Sequence, residues 1–387
     1  MLALACGSIA FAQVPLPPVD PPDSAAKAAA ELPVGHPIEQ MVEFESKSRW
    51  HLYVNAQVSG FGLVIKGASF QKSPTSKFIY VLFDGRLGEI FVPYHDNSHR
   101  FTDLQYGFSC SKLNEADFPA PLQIIDRVSS NEGLICKEKR KYLAYMNGEN
   151  KNPPLVHYGE EVVYFSVLRA ANYQYIMEWT FRDDGTILAR AGSTGPKYPL
   201  YDSNGRIIGR TKAGHMHDFT WRLDIDLNGA GGDSAYLTSH HEDLTLPDST
   251  ATDEKDRIEV EGGFVWNPQN FNTLEIRDSI LENGNMRPTS YELVPMRSGN
   301  ARHSEDFINK DFWVSRYTPG QQFFADNLPD YVRNKQPTVN RDLVVWYTGS
   351  EHHEKNSRDE DNQTVPVLWT GFALIPNNLF NRTPFYP

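Results

Sequence analysis

Val167-Leu-Arg-Ala-Ala-Asn172-Tyr173-Gln174-Tyr175-Ile-Met-Glu-Trp179 is an apolar, aromatic-rich run with an Asn-Tyr pair in its middle, closed downstream by the turn signal Asp183-Asp184-Gly185. Such a run between turn residues reads as a buried β-strand. The same texture recurs on its N-terminal side in Trp50-His-Leu-Tyr-Val-Asn-Ala56, Phe61-Gly-Leu-Val-Ile65, Phe78-Ile-Tyr-Val-Leu-Phe83 and Glu89-Ile-Phe-Val-Pro-Tyr94, separated by Gly, Pro or Ser. That is the pattern of a meander. Aromatics at 12% with 26 Pro and 27 Gly suit many short strands joined by turns, so the class expected is all-β. No Gly-rich phosphate loop, repeat or long amphipathic helix interrupts the strands, and no second domain boundary is evident after residue 40.

The 387 residues can bury a large core. With 37 Lys+Arg against 49 Asp+Glu, the net charge of -12 repels phosphate backbones and anionic lipid, so neither nucleic acid nor a membrane is an expected partner. Residues 1–12 are apolar and end in the small-x-small pattern Ala10-Phe11-Ala12, as a secretory signal peptide does; the missing basic residue ahead of them suggests a truncated start. An ordinary N-terminus is the alternative. Residues 13–35 form a Pro/Ala-rich arm, and 36–387 form the domain. If Cys6 leaves with the signal, Cys110 and Cys136 remain, and one disulfide is the economical reading, with two buried thiols as the other. Asn362-Gln-Thr364 and Asn381-Arg-Thr383 are N-glycan acceptor triplets, which agree with a secreted, extracellular protein.

His215-Met216-His217 opens a strand-like stretch, and alternate side chains on a strand share a face, so both imidazoles can chelate one ion. By itself H-x-H describes two surface histidines equally well. A further pair, His352-His353, lies near the C-terminus. An Asn-Tyr strand, a later H-x-H strand and a distant third histidine together resemble the quinone-forming copper amine oxidases, whose tyrosine is oxidised to topaquinone beside a three-histidine copper. Without that company a strand tyrosine is ordinarily packing.

The resemblance extends in order from about residue 40 to the C-terminus. Val92-Pro93-Tyr94 is similar to the family's Val-Pro-Tyr, whose tyrosine hydrogen-bonds the quinone. Cys110 and Cys136 stand where the family has a disulfide. Asn172, Tyr173, Tyr175, Trp179 and Gly185 match the quinone strand, with Arg169 in place of its Thr and Gln174 in place of its acid. His215 and His217 are followed by Arg222-Leu-Asp224-Ile225-Asp226. The third copper histidine follows a Trp-x-Thr strand by a fixed step. Counting from Trp346 selects His353, whereas counting from Gly349 selects His352; the spacing from Asp342 favours His353. The resemblance also implies a peripheral Ca²⁺ site of Asp224, Asp226 and Asp342 with the carbonyls of Ile225 and Leu343.

One departure touches the chemistry. The family's base is the Asp of Phe-Asp-x-Gly-Glu-Tyr-Gly, and alignment on Tyr106-Gly107 puts Thr102 in its place and Asp103 one step late. A one-residue shift turns a strand side chain to the other face, so either a bulge re-aims Asp103 or amine oxidation is impaired. The resemblance therefore implies a large distorted antiparallel β-sandwich, homodimeric, holding Cu²⁺ and topaquinone from Tyr173, and oxidising a small primary amine with O2 to aldehyde, ammonia and H2O2. The family's small N-terminal domains are missing from this sequence. Two other readings stay open: the scaffold redeployed for a non-redox isomerisation or cyclisation, and a non-catalytic metal-binding domain.

Overall fold

The computed structural model describes residues 37–58, 62–93, 98–101, 105–106, 113, 118, 122–125, 127–129, 132–147, 155–170, 173–195, 199–210, 214–243, 250–297, 305–318, 325, 328–354 and 365–381. Two large antiparallel sheets dominate. The first runs, in spatial order, Ile38–Glu43, Arg49–Val58, Gly62–Gln71, Ile79–Pro93, His215–Ile225, Leu343–His353, Phe312–Arg316 and Gly262–Phe264, with Ser98–Phe101 also on Ile79–Pro93. The second runs Thr250–Arg257, Asp233–Asp243, Thr273–Glu282, Pro288–Pro295, Leu368–Asn377, Ile187–Thr194, Tyr173–Arg182, Leu155–Ala170, Cys136–Asn147 and Gln123–Ile124, with Gln105–Tyr106 on Leu155–Ala170. The all-β expectation and the two-sheet architecture agree.

The sheets pack face to face because alternate residues of their central strands are large and apolar. Trp50 of the first sheet meets Phe181 of the second with ring centroids 5.2 Å apart, and Trp221 meets Phe372 at 5.5 Å. The Trp50 indole N–H is not left orphaned: it donates across the sandwich to the Arg182 carbonyl at 2.7 Å. The strand His215–Ile225 is buried on both faces. Its outer side lies under a second apolar cluster that includes Phe91, Phe307, Trp313 and Trp346. On that side Asp84 is wholly buried. Against the cost of burial, Arg86, Lys66 and Arg222 hold its carboxyl well below the usual carboxylate range, with Nε of Arg86 at 2.6 Å, Lys66 at 2.7 Å and Arg222 at 3.2 Å.

At Gly85 the sheets approach closely where a side chain is missing. A Cβ on Gly85 would lie 2.7 Å from the Trp179 ring and 2.7 Å from Leu82. Trp179 is itself buried and cannot retreat. Gly85→Ala is therefore expected to destabilise the fold by about 1–3 kcal/mol through overpacking, read as a lowered urea midpoint with an unchanged slope. An unchanged midpoint would mean that the sheets can part freely here.

Candidate metal centre

Three strands bring the centre together. On the tyrosine strand, Tyr173–Arg182, the residues Tyr173, Tyr175, Met177, Trp179 and Phe181 face the interior. On the double-histidine strand, His215–Ile225, so do His215, His217, Phe219 and Trp221. The third strand, Leu343–His353, is antiparallel to it, with His215 opposite His353 and Met216 opposite His352. Adjacent strand residues point to opposite faces, so His353 shares the face of His215 while His352 is exposed.

The ligand nitrogens of His215, His217 and His353 lie within 4.8 Å of one another, and all three residues are buried. The Tyr173 hydroxyl crosses from the other sheet to stand 3.0 Å from His215 Nε2 and 2.5 Å from His353 Nδ1. The Tyr175 hydroxyl stands 3.1 Å from His217 Nδ1. That contact selects the nitrogen: the tautomer donating Nδ1–H to Tyr175 leaves the lone pair on Nε2, a buried atom with no hydrogen-bond partner among the described residues. Burial and the two neighbouring imidazoles hold His217 well below the usual histidine range, which keeps it neutral. Three converging imidazoles beside a phenol oxygen are a donor set that suits Cu²⁺ or Zn²⁺.

Glu351 completes the interior wall and was not singled out from sequence. It lies two residues before His353 on the same face, directly opposite His217, and is wholly buried. Burial pushes its carboxyl up to about 8, and Ser193 donates a hydrogen bond to it. An acid at an inward position of an otherwise apolar strand was the available signal.

At the other end of the same strand pair, roughly 30 Å away at about 3.3 Å per residue, carboxylate oxygens of Asp224, Asp226 and Asp342 lie within 4.8 Å of one another. Ile225 and Leu343 are paired in register beside them. Asp233 adds a fourth carboxyl that sequence reading missed. It is wholly buried with no counter-ion among the described residues. Burial, with Asp226, Asp278 and Asp342, pushes it well above the usual carboxylate range, and only the Leu227 N–H lowers it. An excess of carboxylates, hard oxygen donors and a buried acid without a counter-ion among the described residues suit a divalent cation such as Ca²⁺.

The run 167–179, expected as one strand, is divided between Leu155–Ala170 and Tyr173–Arg182, which pair antiparallel, so the two departures from the family's signature sit on different strands and off the centre. Arg169 and Gln174 are opposite one another in register, Arg169 is exposed, and both belong to the face turned away from the histidines. Tyr94, Thr102, Asp103, Cys110 and Asn172 lie outside the described residues. Cys136 is buried and disulfide-bonded.

Residues 143–386 match the family model described as copper amine oxidase, enzyme domain. Primary amine oxidase 2 of Arabidopsis thaliana is 27% identical over 395 residues, covering 87% of this chain and 57% of that protein. A primary amine oxidase of Klebsiella aerogenes is 23% identical over 400 residues, covering 87% and 52%. The chain thus spans little more than half the length of these relatives. Among solved structures, the copper-containing benzylamine oxidase of Hansenula polymorpha superposes with a TM-score of 0.70 at 19% identity, covering 91% of this chain and 64% of that one. The Aspergillus nidulans amine oxidase gives 0.68 at 17% identity, covering 99% and 56%. Likeness at that identity speaks for the fold.

The geometry separates the two C-terminal histidines. His217→Ala and His353→Ala are expected to lose imidazole ligation of added Cu²⁺, seen as loss of nitrogen hyperfine structure in the electron paramagnetic resonance spectrum, and His352→Ala to keep it. A spectrum lost in His352→Ala and kept in His353→Ala would refute the register.

Proposed function

The chain belongs to the copper amine oxidase family, and from that premise we propose that it is a secreted primary-amine oxidase using Cu²⁺ and topaquinone made from Tyr173. The balanced reaction is RCH2NH2 + O2 + H2O → RCHO + NH3 + H2O2. The observation that carries the reading is the Tyr173 hydroxyl held against two of three buried, converging imidazoles. When bound, copper with the oxidised tyrosine would supply the two-electron redox chemistry between amine and O2.

The protein's own groups do the rest. His215, His217 and His353 would hold the ion, with Tyr175 fixing the ring of His217 through Nδ1. Asn172 precedes the cofactor residue in sequence, and the family resemblance gives Tyr94 the role of hydrogen-bonding its oxygen. Phe219, its ring 5.9 Å from that of Tyr175, puts apolar surface beside the centre. The α-proton of the amine goes to a carboxylate, Asp103, if a bulge turns it inward; a threonine hydroxyl at that place has the wrong proton affinity for the task. A non-redox use of the scaffold draws its support from Thr102. Arg169 and Gln174 no longer weigh for it, since they face away. Ca²⁺ is assigned to Asp224, Asp226 and Asp342 with the carbonyls of Ile225 and Leu343, and Asp233 lends charge.

Secretion accords with the apolar segment at 1–12 and with a Cys110–Cys136 bridge. Pairing of two chains accords with an exposed apolar patch on the paired strands Cys136–Asn147 and Leu155–Ala170, where Leu143, Met146, Leu155, Val156 and Tyr158 are each more than 40% exposed. Among the described residues no helix is long and apolar enough to cross a membrane.

Copper-loaded, aerated protein should develop a visible quinone absorbance that phenylhydrazine shifts, and Tyr173→Phe should not. Colour persisting in Tyr173→Phe would remove the assignment. If Thr102 occupies the base position, Thr102→Asp should raise amine turnover by a large part of the ~10²–10⁴-fold that a placed base contributes; if Asp103 does, Asp103→Asn should abolish turnover and spare the colour. Light scattering should find a dimer that Leu143→Glu with Val156→Glu weakens, and a monomeric wild type would exclude pairing.

A further inference from the structure

Tyr175 and Ser193 stand directly opposite one another in the second sheet, and His217 and Glu351 do so in the first. Across the sandwich, Tyr175 is hydrogen-bonded to His217 and Ser193 donates to Glu351. The four residues close a rectangle. Two of its sides are strand pairings within a sheet, and the other two are side-chain bonds between sheets. None of the four is more than 1% exposed.

Polar groups buried this deeply carry a cost that an apolar pair of similar size would avoid. Glu351 bears that cost with one of its oxygens, Oε2, lacking any hydrogen-bond partner among the described residues. Its immediate same-face neighbours on the strand are His353 on one side and Gly349 on the other, so the acid is not there to fill space between large apolar groups. What the pair does achieve is a fixed, directional contact between the sheets at the level of the histidines. Apolar packing alone sets no such direction.

We propose that the Ser193–Glu351 bond is a cross-sheet clamp that positions two of the metal-binding histidines. Glu351 is opposite His217 and two residues from His353, so anchoring it to Ser193 fixes the spacing at which His217 Nε2 and His353 Nδ1 converge. Glu351 and Ser193 are positioning residues and touch neither metal nor substrate in this assignment. The inference rests on the copper reading and deepens it.

The test measures Cu²⁺ affinity by chelator competition in the full chain, with the copper resonance spectrum recorded alongside and near-ultraviolet circular dichroism checking the fold before metal is added. Ser193→Ala and Glu351→Met are expected to bind copper about 10–100-fold more weakly, as loss of a supporting partner does, with altered hyperfine splitting. Glu351→Gln and Ser193→Thr, which keep an acceptor and a hydroxyl, are expected to bind like wild type. Wild-type affinity in Ser193→Ala and Glu351→Met would overturn the clamp and leave the copper reading standing. Equal weakening in Glu351→Gln and Glu351→Met would assign the effect to charge and overturn it as well. Loss of fold in both knockouts would mark a folding role and also overturn it. Copper binding by wild type that His217→Ala leaves untouched would remove the copper reading and the clamp together.

Discussion

A hydroxyl on one sheet has to reach imidazoles on the other, and the centre depends on that contact. Tyr173 contributes nothing to the histidines from within its own sheet. It meets them only because two separately hydrogen-bonded layers are pressed to a spacing at which a phenol spans the gap. Strand alternation then does the sorting: residues two apart share the interior, so Tyr173 with Tyr175, His215 with His217 and Glu351 with His353 arrive as pairs. The missing side chain at Gly85 permits the close approach further along the same interior.

The double-histidine strand carries a second polar layer on its back. Arg222 there is shared between Asp84 at 3.2 Å and Asp224 at 3.4 Å. Buried ionic groups of this kind add little net stability over an apolar replacement, but removing one partner strands the other. Arg222 therefore ties the register of the central strands to the acidic cluster at their far end, so histidines and carboxylates are set by one ladder of backbone pairs.

Much of this was legible in the sequence, and what was not follows a pattern. The histidine strand and the part of the tyrosine strand from Tyr173 onward could be read because alternation is a local property, whereas 167–170 belong to the preceding strand, which pairs back on it. The choice between His352 and His353 turned on whether Trp346 or Gly349 sets the count, and the backbone register puts His353 with the inward set. Arg169 and Gln174 depart from the family's signature around Tyr173, yet they sit on two neighbouring strands, paired with each other on the outward face, which only the register reveals. Ser193 and Glu351 matter through a partner far away in the chain, 158 residues apart, and Asp233 through carboxylates that include the distant Asp278 and Asp342 as well as the nearby Asp226. Thr102 and Asp103 were readable as a problem of spacing, which is what they remain.

The separations also say when the centre can exist. Tyr173 lies 42 residues from His215 but 180 from His353, and His353 is supplied by a strand near the end of the chain. Contacts between segments so distant form late, because the loop they close costs entropy before any packing repays it. An ion that needs all three imidazoles at once would therefore meet a chain already made through His353, with its two sheets closed. A centre built from such distant segments would follow the packing of the sheets rather than seed it.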